Sequence, residues 1–348
     1  MIPAVPSWVT KGDQFELSRS DLRLLHDFHK TVFHKMGSPL ARDRCASFMQ
    51  SLATQQPYIL HFYLAITYIY QRDLYISSGI PVPPRSQAAL AFHWYQASAI
   101  HKNTLLVTDH SSTEKDAIWH AATLLVHAAF HYLDTYDPSK HWPNKPTESG
   151  DLYWLHLSIG KAAVWKLADP SREDSLFRDL ADDIVPWDAP MPNKPIPAGV
   201  FPPSFMALFE LDENSSVDNN LYFGPVSMLA QLLPQPCDAE HMLSFFTFPK
   251  DLSDGFCGLL SAKNPRALLI LCWWWAKTCV YEEWWLSRRA RIESRAICIY
   301  LENNYGYDNT LMELLEFPRM VLELVERSVP LAMARSTSFS ARALPVVH

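Results

Sequence analysis

One stretch of the chain places several residues that can move protons at helical spacing. They are His120, His127, His131 and Asp134. On a helical wheel they lie within about 80° of one another, so they share one face of a predicted helix over 115–134. Imidazole titrates near neutral pH, which makes it the common general acid or base in enzymes. This face therefore predicts acid–base chemistry, with His127 or His131 as the base.

The same four side chains have two other interpretations. They could form a polar seam between packed helices, in which each imidazole bonds to a neighbouring group. His127 and His131 are four residues apart and could chelate a metal ion, but the pattern supplies no third ligand. The chain also lacks a phosphate-binding loop, a dinucleotide fingerprint and a nucleophile elbow. We therefore predict neither a metal site nor a cofactor.

The most aromatic stretch of the chain is 267–286, which holds five of the twelve tryptophans. As one helix it would carry two adjacent stripes, the first with Trp274, Tyr281 and Trp285 and the second with Trp273 and Trp284. A helix of this kind is expected to be surrounded by other helices, so we predict a central helix over 264–286. Its rings either fill the core or wall a cavity for a lipophilic ligand.

Two further groups combine histidine with aromatic residues. The first is His61 with Tyr63 and Tyr68, and the second is His93, Trp94 and Tyr95 with His101. Groups of this type more often complete a core than bind a ligand. From them we take His61, His93, Trp94 and Tyr95 as further candidates for ligand contacts.

The hydrophobic pattern predicts an all-α fold. Its period is helical almost everywhere, and no alternating run is strong enough for a sheet. The chain has 10 glycines and 26 prolines, which fits helices separated by proline-rich connectors. We predict a single large irregular helical bundle over 18–330, after a lead segment 1–17 and before a flexible tail 331–348. The longest connector is expected at 185–204.

Composition limits the possible partners. The net charge is −7 and no lysine–arginine cluster stands out, which disfavours direct DNA binding. Six cysteines form no CxxC pair, so neither a zinc site nor a disulfide framework is expected. Reduced thiols and the lack of a signal peptide favour an intracellular protein, cytoplasmic or nuclear. No apolar run reaches 18 residues, so no membrane span is predicted.

Four stretches between residues 20 and 325 together resemble one known family. They are Tyr58-Ile-Leu-His-Phe-Tyr-Leu-Ala65, Leu155-His-Leu-Ser-Ile-Gly160, Pro265-Arg-Ala-Leu-Leu-Ile-Leu271 with Glu283-Trp-Trp-Leu286, and Phe317-Pro318. The family is the regulatory, fungal-specific domain of the zinc binuclear cluster transcription factors, in the branch of the sterol uptake control proteins. The resemblance implies an all-α domain that pairs through its helices and binds sterol-like ligands in its C-terminal half.

The chain departs from that family in two places. The family's six closely spaced cysteines, which bind two zinc ions and contact DNA, have no counterpart here, and Tyr70 stands where a second histidine is usual. The sequence is thus either an excised regulatory domain or a stand-alone protein, and Met1 with its ordinary lead sequence favours the second.

Three functions remain open from the sequence. The first is a stand-alone regulatory domain that binds a sterol- or terpenoid-like molecule and acts through a partner or as a homodimer. The second is a cofactor-free enzyme of secondary metabolism, an isomerase, cyclase or dehydratase, in which tryptophans fold the substrate and a histidine or tyrosine moves a proton. The third is a helical scaffold without a ligand. The first two require a void beside the aromatic central helix.

Overall fold

The computed structural model describes residues 17–36, 39–148, 150–181 and 194–327. Within these ranges every regular element is a helix and no strand occurs, which confirms the all-α fold class. No helix in them is long and apolar enough to cross a membrane. Nearly all of the predicted lead segment, the tail and the first part of the 185–204 connector lie outside the described residues. The rest of that connector, 194–202, is irregular.

The helices in chain order are α1 (Arg19–Asp27), α2 (Pro39–Ala46), α3 (Met49–Gln55), α4 (Pro57–Ser77), α5 (Pro84–Leu105), α6 (Ser112–His131), α7 (Tyr153–Ala168), α8 (Arg178–Ala181), α9 (Pro203–Leu208), α10 (Phe223–Leu232), α11 (Met242–Phe245), α12 (Thr247–Lys250), α13 (Asp254–Ser261), α14 (Pro265–Thr278), α15 (Ser287–Tyr305), α16 (Asn309–Leu314) and α17 (316–327). A π-helical turn, Phe28–Val32, and a 3₁₀ turn, Phe33–Lys35, follow α1 directly.

Serines and prolines determine where several helices begin. Ser18 and Ser111 each form a capping box, in which the hydroxyl accepts from a backbone N–H three residues on and that residue's carboxylate accepts from the serine N–H. Helices α4, α5 and α14 begin at Pro57, Pro84 and Pro265, where the missing N–H costs nothing in a first turn.

Helix α6 is surrounded by other helices. It packs along α7 and also contacts α3, α4, α5 and α15, while α14 packs mainly on α15. Most of the side chains of α6 are buried, including His120 and His131. The aromatic segment was expected at the centre of the bundle, but α6 contacts more of the other helices than α14 does.

The six cysteines all lie within the described residues, and none of them forms a disulfide bond.

The predicted central helix over 264–286 is wrong in its second half. Helix α14 ends at Thr278, and turns occupy the chain until α15 begins at Ser287. The Thr278 hydroxyl donates to the carbonyl of Trp275, and the Cys279 thiol to that of Ala276. These local side-chain bonds compete with continuation of the helix. The expected stripe of three aromatic rings therefore does not exist, because two of them lie beyond the helix.

The tryptophans of α14 fill the core. Trp274 stacks on Trp154 with 5.9 Å between ring centroids, and its indole N–H donates to the carbonyl of Phe245 at 3.1 Å. Trp273 donates to the carbonyl of Leu314 at 3.0 Å. Both rings are therefore covered by neighbouring groups, so the core interpretation applies to them and the ligand-wall interpretation does not.

Candidate functional site

A cavity of about 170 Å³ lies between α6, α7, α8 and α11. Six aromatic side chains enclose much of it, namely Phe33, Trp119, Trp165, Phe177, Phe246 and Trp285. Its polar lining comes from Arg42, Cys45, His120, Thr123, His127 and Lys161. Aliphatic side chains such as Leu124 and Val126 complete the wall. This cavity lies beside α6, and no residue of α14 is among those that line it.

Only part of the predicted site meets at this cavity. His120 and His127 line it from one face of α6, as their spacing predicted, and Trp285 lines it from the turn before α15. Trp273, Trp274 and Tyr281 are not among its lining residues. Because α14 ends before Trp285, this residue does not share a helix face with Trp273 and Trp274. It therefore lines the cavity without the other predicted wall residues.

The prediction that His120, His127, His131 and Asp134 share one helix face is wrong at the C-terminal end of α6. The helix stops at His131, and the next residue, Tyr132, is extended with ψ 116°. Asp134 therefore lies beyond the helix, where it is exposed. His131 does not line the cavity. Its Nδ1–H donates to the carbonyl of Trp284 at 2.9 Å, and its Nε2 lies 3.8 Å from Asp73, so it belongs to a seam between α4, α6 and α15.

His127 lines the cavity, and its ring carries one hydrogen-bond donor and one acceptor. Its Nδ1–H donates to the carbonyl of Thr123 at 2.7 Å, so Nε2 carries the lone pair of the neutral ring. The ring lies against Trp285, with 4.5 Å between centroids. Burial lowers the pKa of His127 to about 4, and the nearby charge of Lys161 acts in the same direction. The imidazole is therefore neutral at physiological pH.

His120 already has a protein partner. Its Nε2 lies 2.8 Å from the hydroxyl of Tyr63, and its ring stacks on Phe177 at 5.9 Å. Burial lowers the pKa of His120 to about 3, with a smaller effect from His127. The seam interpretation from the sequence therefore describes His120, whose outer edge contributes to the wall of the cavity.

Lys161 is a cavity residue that the sequence analysis missed. It lies on α7 and is only 8% exposed. Its Nζ sits 4.5 Å from the centre of the Trp119 ring, whose other contacts include the edge of Trp165. Burial lowers the pKa of Lys161 to about 7. The signal in the sequence was a single lysine in the otherwise apolar face of that helix.

The remaining candidates lie between α4 and α5. His61 Nδ1 and His93 Nδ1 are 3.0 Å apart, and the ring of Tyr68 stacks on His93. Trp94 packs edge-on against the aromatic core, whereas Tyr95 is 44% exposed. None of the four candidates from this region lines the cavity.

Two comparisons bear on what this site could be. Against protein-family models and against curated proteins, the chain matches none. Among the residues that the structure describes, no cluster of three or more His, Cys, Asp or Glu could hold a metal ion. The resemblance to the transcription-factor regulatory domain therefore stays a prediction, and the argument for function rests on the cavity.

Proposed function

We propose that this protein binds a small lipophilic molecule of the terpenoid or sterol class in the cavity beside α6, and that binding serves a regulatory role. The observation that carries the proposal is a partly open cavity of about 170 Å³ lined by six aromatic side chains and a few polar ones. Ligand sites are typically concave and mostly apolar, with a small number of polar groups that orient the ligand. An apolar occupant with one polar group fits this lining.

The volume of the cavity limits the ligand. An engineered apolar cavity of about 150 Å³ binds benzene, whereas pockets for drug-sized ligands span about 300–1,000 Å³. We therefore revise the expected ligand from a whole sterol to a single-ring terpenoid, or to one ring of a larger molecule. A homodimer remains a prediction from the family resemblance.

One polar group would orient the ligand. Nε2 of His127 can accept a hydrogen bond but has no proton to donate while the ring is neutral. A ligand with one hydroxyl or N–H on an apolar frame would satisfy it. An unpaired donor or acceptor costs about 1–3 kcal/mol when buried, so this acceptor should favour hydroxylated over plain hydrocarbon ligands.

Binding is favoured over the enzymatic mechanism first expected from the histidines. An efficient general base has a pKa near the working pH. Burial instead lowers the pKa of His127 to about 4 and that of His131 to about 3, so both are weak bases. An enzyme remains the second candidate because of Lys161, whose pKa near 7 suits proton transfer or nucleophilic attack.

The binding proposal predicts selective stabilisation by a matched pair of probes. We expect both p-cymene and its hydroxylated relative thymol to raise the thermal midpoint, because each binds the folded state alone. Thymol should bind about tenfold more tightly, since its hydroxyl can donate to His127. His127→Phe should remove that preference. Differential scanning fluorimetry with titration of each probe measures both effects.

A cavity-filling variant provides the control. Val126→Phe, on the cavity wall, should abolish the shift, and Val280→Phe, at a position 49% exposed and outside the cavity, should retain it. Leu243→Trp is a second block at a more exposed part of the wall. Circular dichroism of each unliganded variant checks folding. Equal shifts in Val126→Phe, Leu243→Trp and the parent protein would contradict the proposal.

A further inference from the structure

Lys161 is buried in the wall of the cavity, whereas most lysines lie at the protein surface. Here the side chain lines an apolar cavity, is 8% exposed, and holds Nζ over the face of Trp119 at 4.5 Å. Lys166, five residues on in the same helix, is exposed. Helix α7 thus offers a buried and an exposed amine for comparison.

We propose that Lys161 forms an imine with the carbonyl carbon of an apolar aldehyde or ketone bound in the cavity. This inference rests on the proposed function, because the apolar cavity must first hold the carbonyl compound. The chemical class of ligand is then narrowed to a terpenoid-sized molecule that carries a carbonyl group.

The reaction balances without any further reagent. The lone pair of the neutral amine attacks the carbonyl carbon, the C=O π bond breaks, and the oxygen takes up a proton to give a carbinolamine. Nitrogen then loses its remaining proton, the hydroxyl leaves with a proton as water, and a C=N bond forms. One water is released, and nothing is oxidised or reduced.

Three features of the cavity favour these steps. Burial lowers the pKa of Lys161 to about 7, so about half of the molecules carry the nucleophilic neutral amine at neutral pH. The face of Trp119 stabilises the cationic forms of the amine and the imine. Nε2 of His127 lines the same cavity and can accept a hydrogen bond from the carbinolamine hydroxyl, which makes His127 a positioning residue.

The test traps the imine on the full chain. The probe is 4-isopropylbenzaldehyde, which has the p-cymene frame, with cyanoborohydride at pH 7 to reduce the imine to a stable amine. Mass spectrometry should show an addition equal to the aldehyde minus one oxygen on Lys161, besides labelling of the α-amino group, whose usual pKa of about 7.7–8.0 also leaves it reactive at pH 7. A lysine with the usual pKa of about 10.4 is neutral in only about one molecule in 2,500 at pH 7. Because a less basic amine is also a weaker nucleophile, we expect Lys161 to react roughly a hundredfold faster than the exposed Lys166.

Variants and a competitor separate this inference from the binding proposal. Lys161→Arg and Lys161→Met should lose the early label, and Lys166→Arg should keep it. An excess of p-cymene should slow labelling of Lys161 at least several-fold if the reaction occurs in the cavity. Labelling spread evenly over surface lysines, or labelling of Lys161 that p-cymene leaves unchanged, would overturn the inference.

The two proposals can fail separately. If p-cymene stabilises the protein but Lys161 stays unlabelled, the imine is refuted and the binding proposal stands. If p-cymene does not stabilise the protein and Lys161 stays unlabelled, both proposals fail.

Discussion

Burial in the cavity wall keeps two ionisable side chains partly or wholly uncharged near neutral pH. The pKa of Lys161 is lowered to about 7 and that of His127 to about 4, in each case chiefly by loss of hydration. The neutral forms are the useful ones, an amine that can attack a carbon and an imidazole that can accept a hydrogen bond. Sequence spacing identified His127 but not Lys161, because a lone lysine in the apolar face of a helix is a weaker signal than several histidines in one stripe.

At the residue scale, the lowered pKa of Lys161 predicts a pH-dependent stability. Between about pH 7 and pH 10 the unfolded chain binds a proton at this lysine that the folded protein does not, so the free energy of unfolding from this group rises with pH across that window. Lys161→Met should flatten this slope, and Lys166→Met should leave it unchanged. Urea unfolding at pH 7, 8 and 9 measures it, and equal slopes in all three proteins would contradict the burial of a titrating Lys161.

At the element scale, one arginine joins α15 to the end of α6. Arg289 donates to the backbone carbonyls of Ala129, Phe130 and Tyr132, which the end of α6 leaves without helical partners. Its Nη1 also forms a buried ion pair with Glu293. This arrangement supports the C-terminal part of α6 and the turn that carries the aromatic residues before α15.

Removal of that arginine should be strongly destabilising. Arg289→Met leaves Glu293 buried without its main partner and exposes three carbonyls to an apolar setting, so we expect a loss of about 3–5 kcal/mol in the free energy of unfolding. Arg319→Met breaks a surface ion pair with Glu302 and should cost less than about 1 kcal/mol. Chemical denaturation of both variants measures the difference. Similar losses would show that Arg289 does not fix the end of α6.

Local rules predicted some elements and missed others for identifiable reasons. The helical period predicted that α6 exists and that His120 and His127 share one of its faces. The end of α14 was missed because Thr278 and Cys279 bond back to the helix, a competition that hydrophobic period does not reveal. Because the tryptophan-rich composition continues beyond Thr278, the sequence wrongly predicted that the helix also continues there.

At the scale of the whole molecule, the position of the cavity depends on contacts between distant segments. Phe33, from the turn after α1, and Trp285, before α15, line the same void as α6. No pattern within one segment could bring these residues together, so the sequence could not place this cavity beside α6. The all-α class was predictable because it depends only on the local period of the hydrophobic pattern. The cavity depends instead on how α6, α7, α8 and α11 pack against one another, which local sequence does not reveal.

The central claim is that the void beside α6 binds an apolar ring. A crystal soaked with bromobenzene tests it most directly, because the anomalous signal of bromine reports the position of the ring without any assumption about the natural ligand. We expect the strongest bromine peak inside the cavity, in contact with Trp285 and His127. Bromine peaks confined to the molecular surface, with the cavity unoccupied at saturating bromobenzene, would contradict the claim.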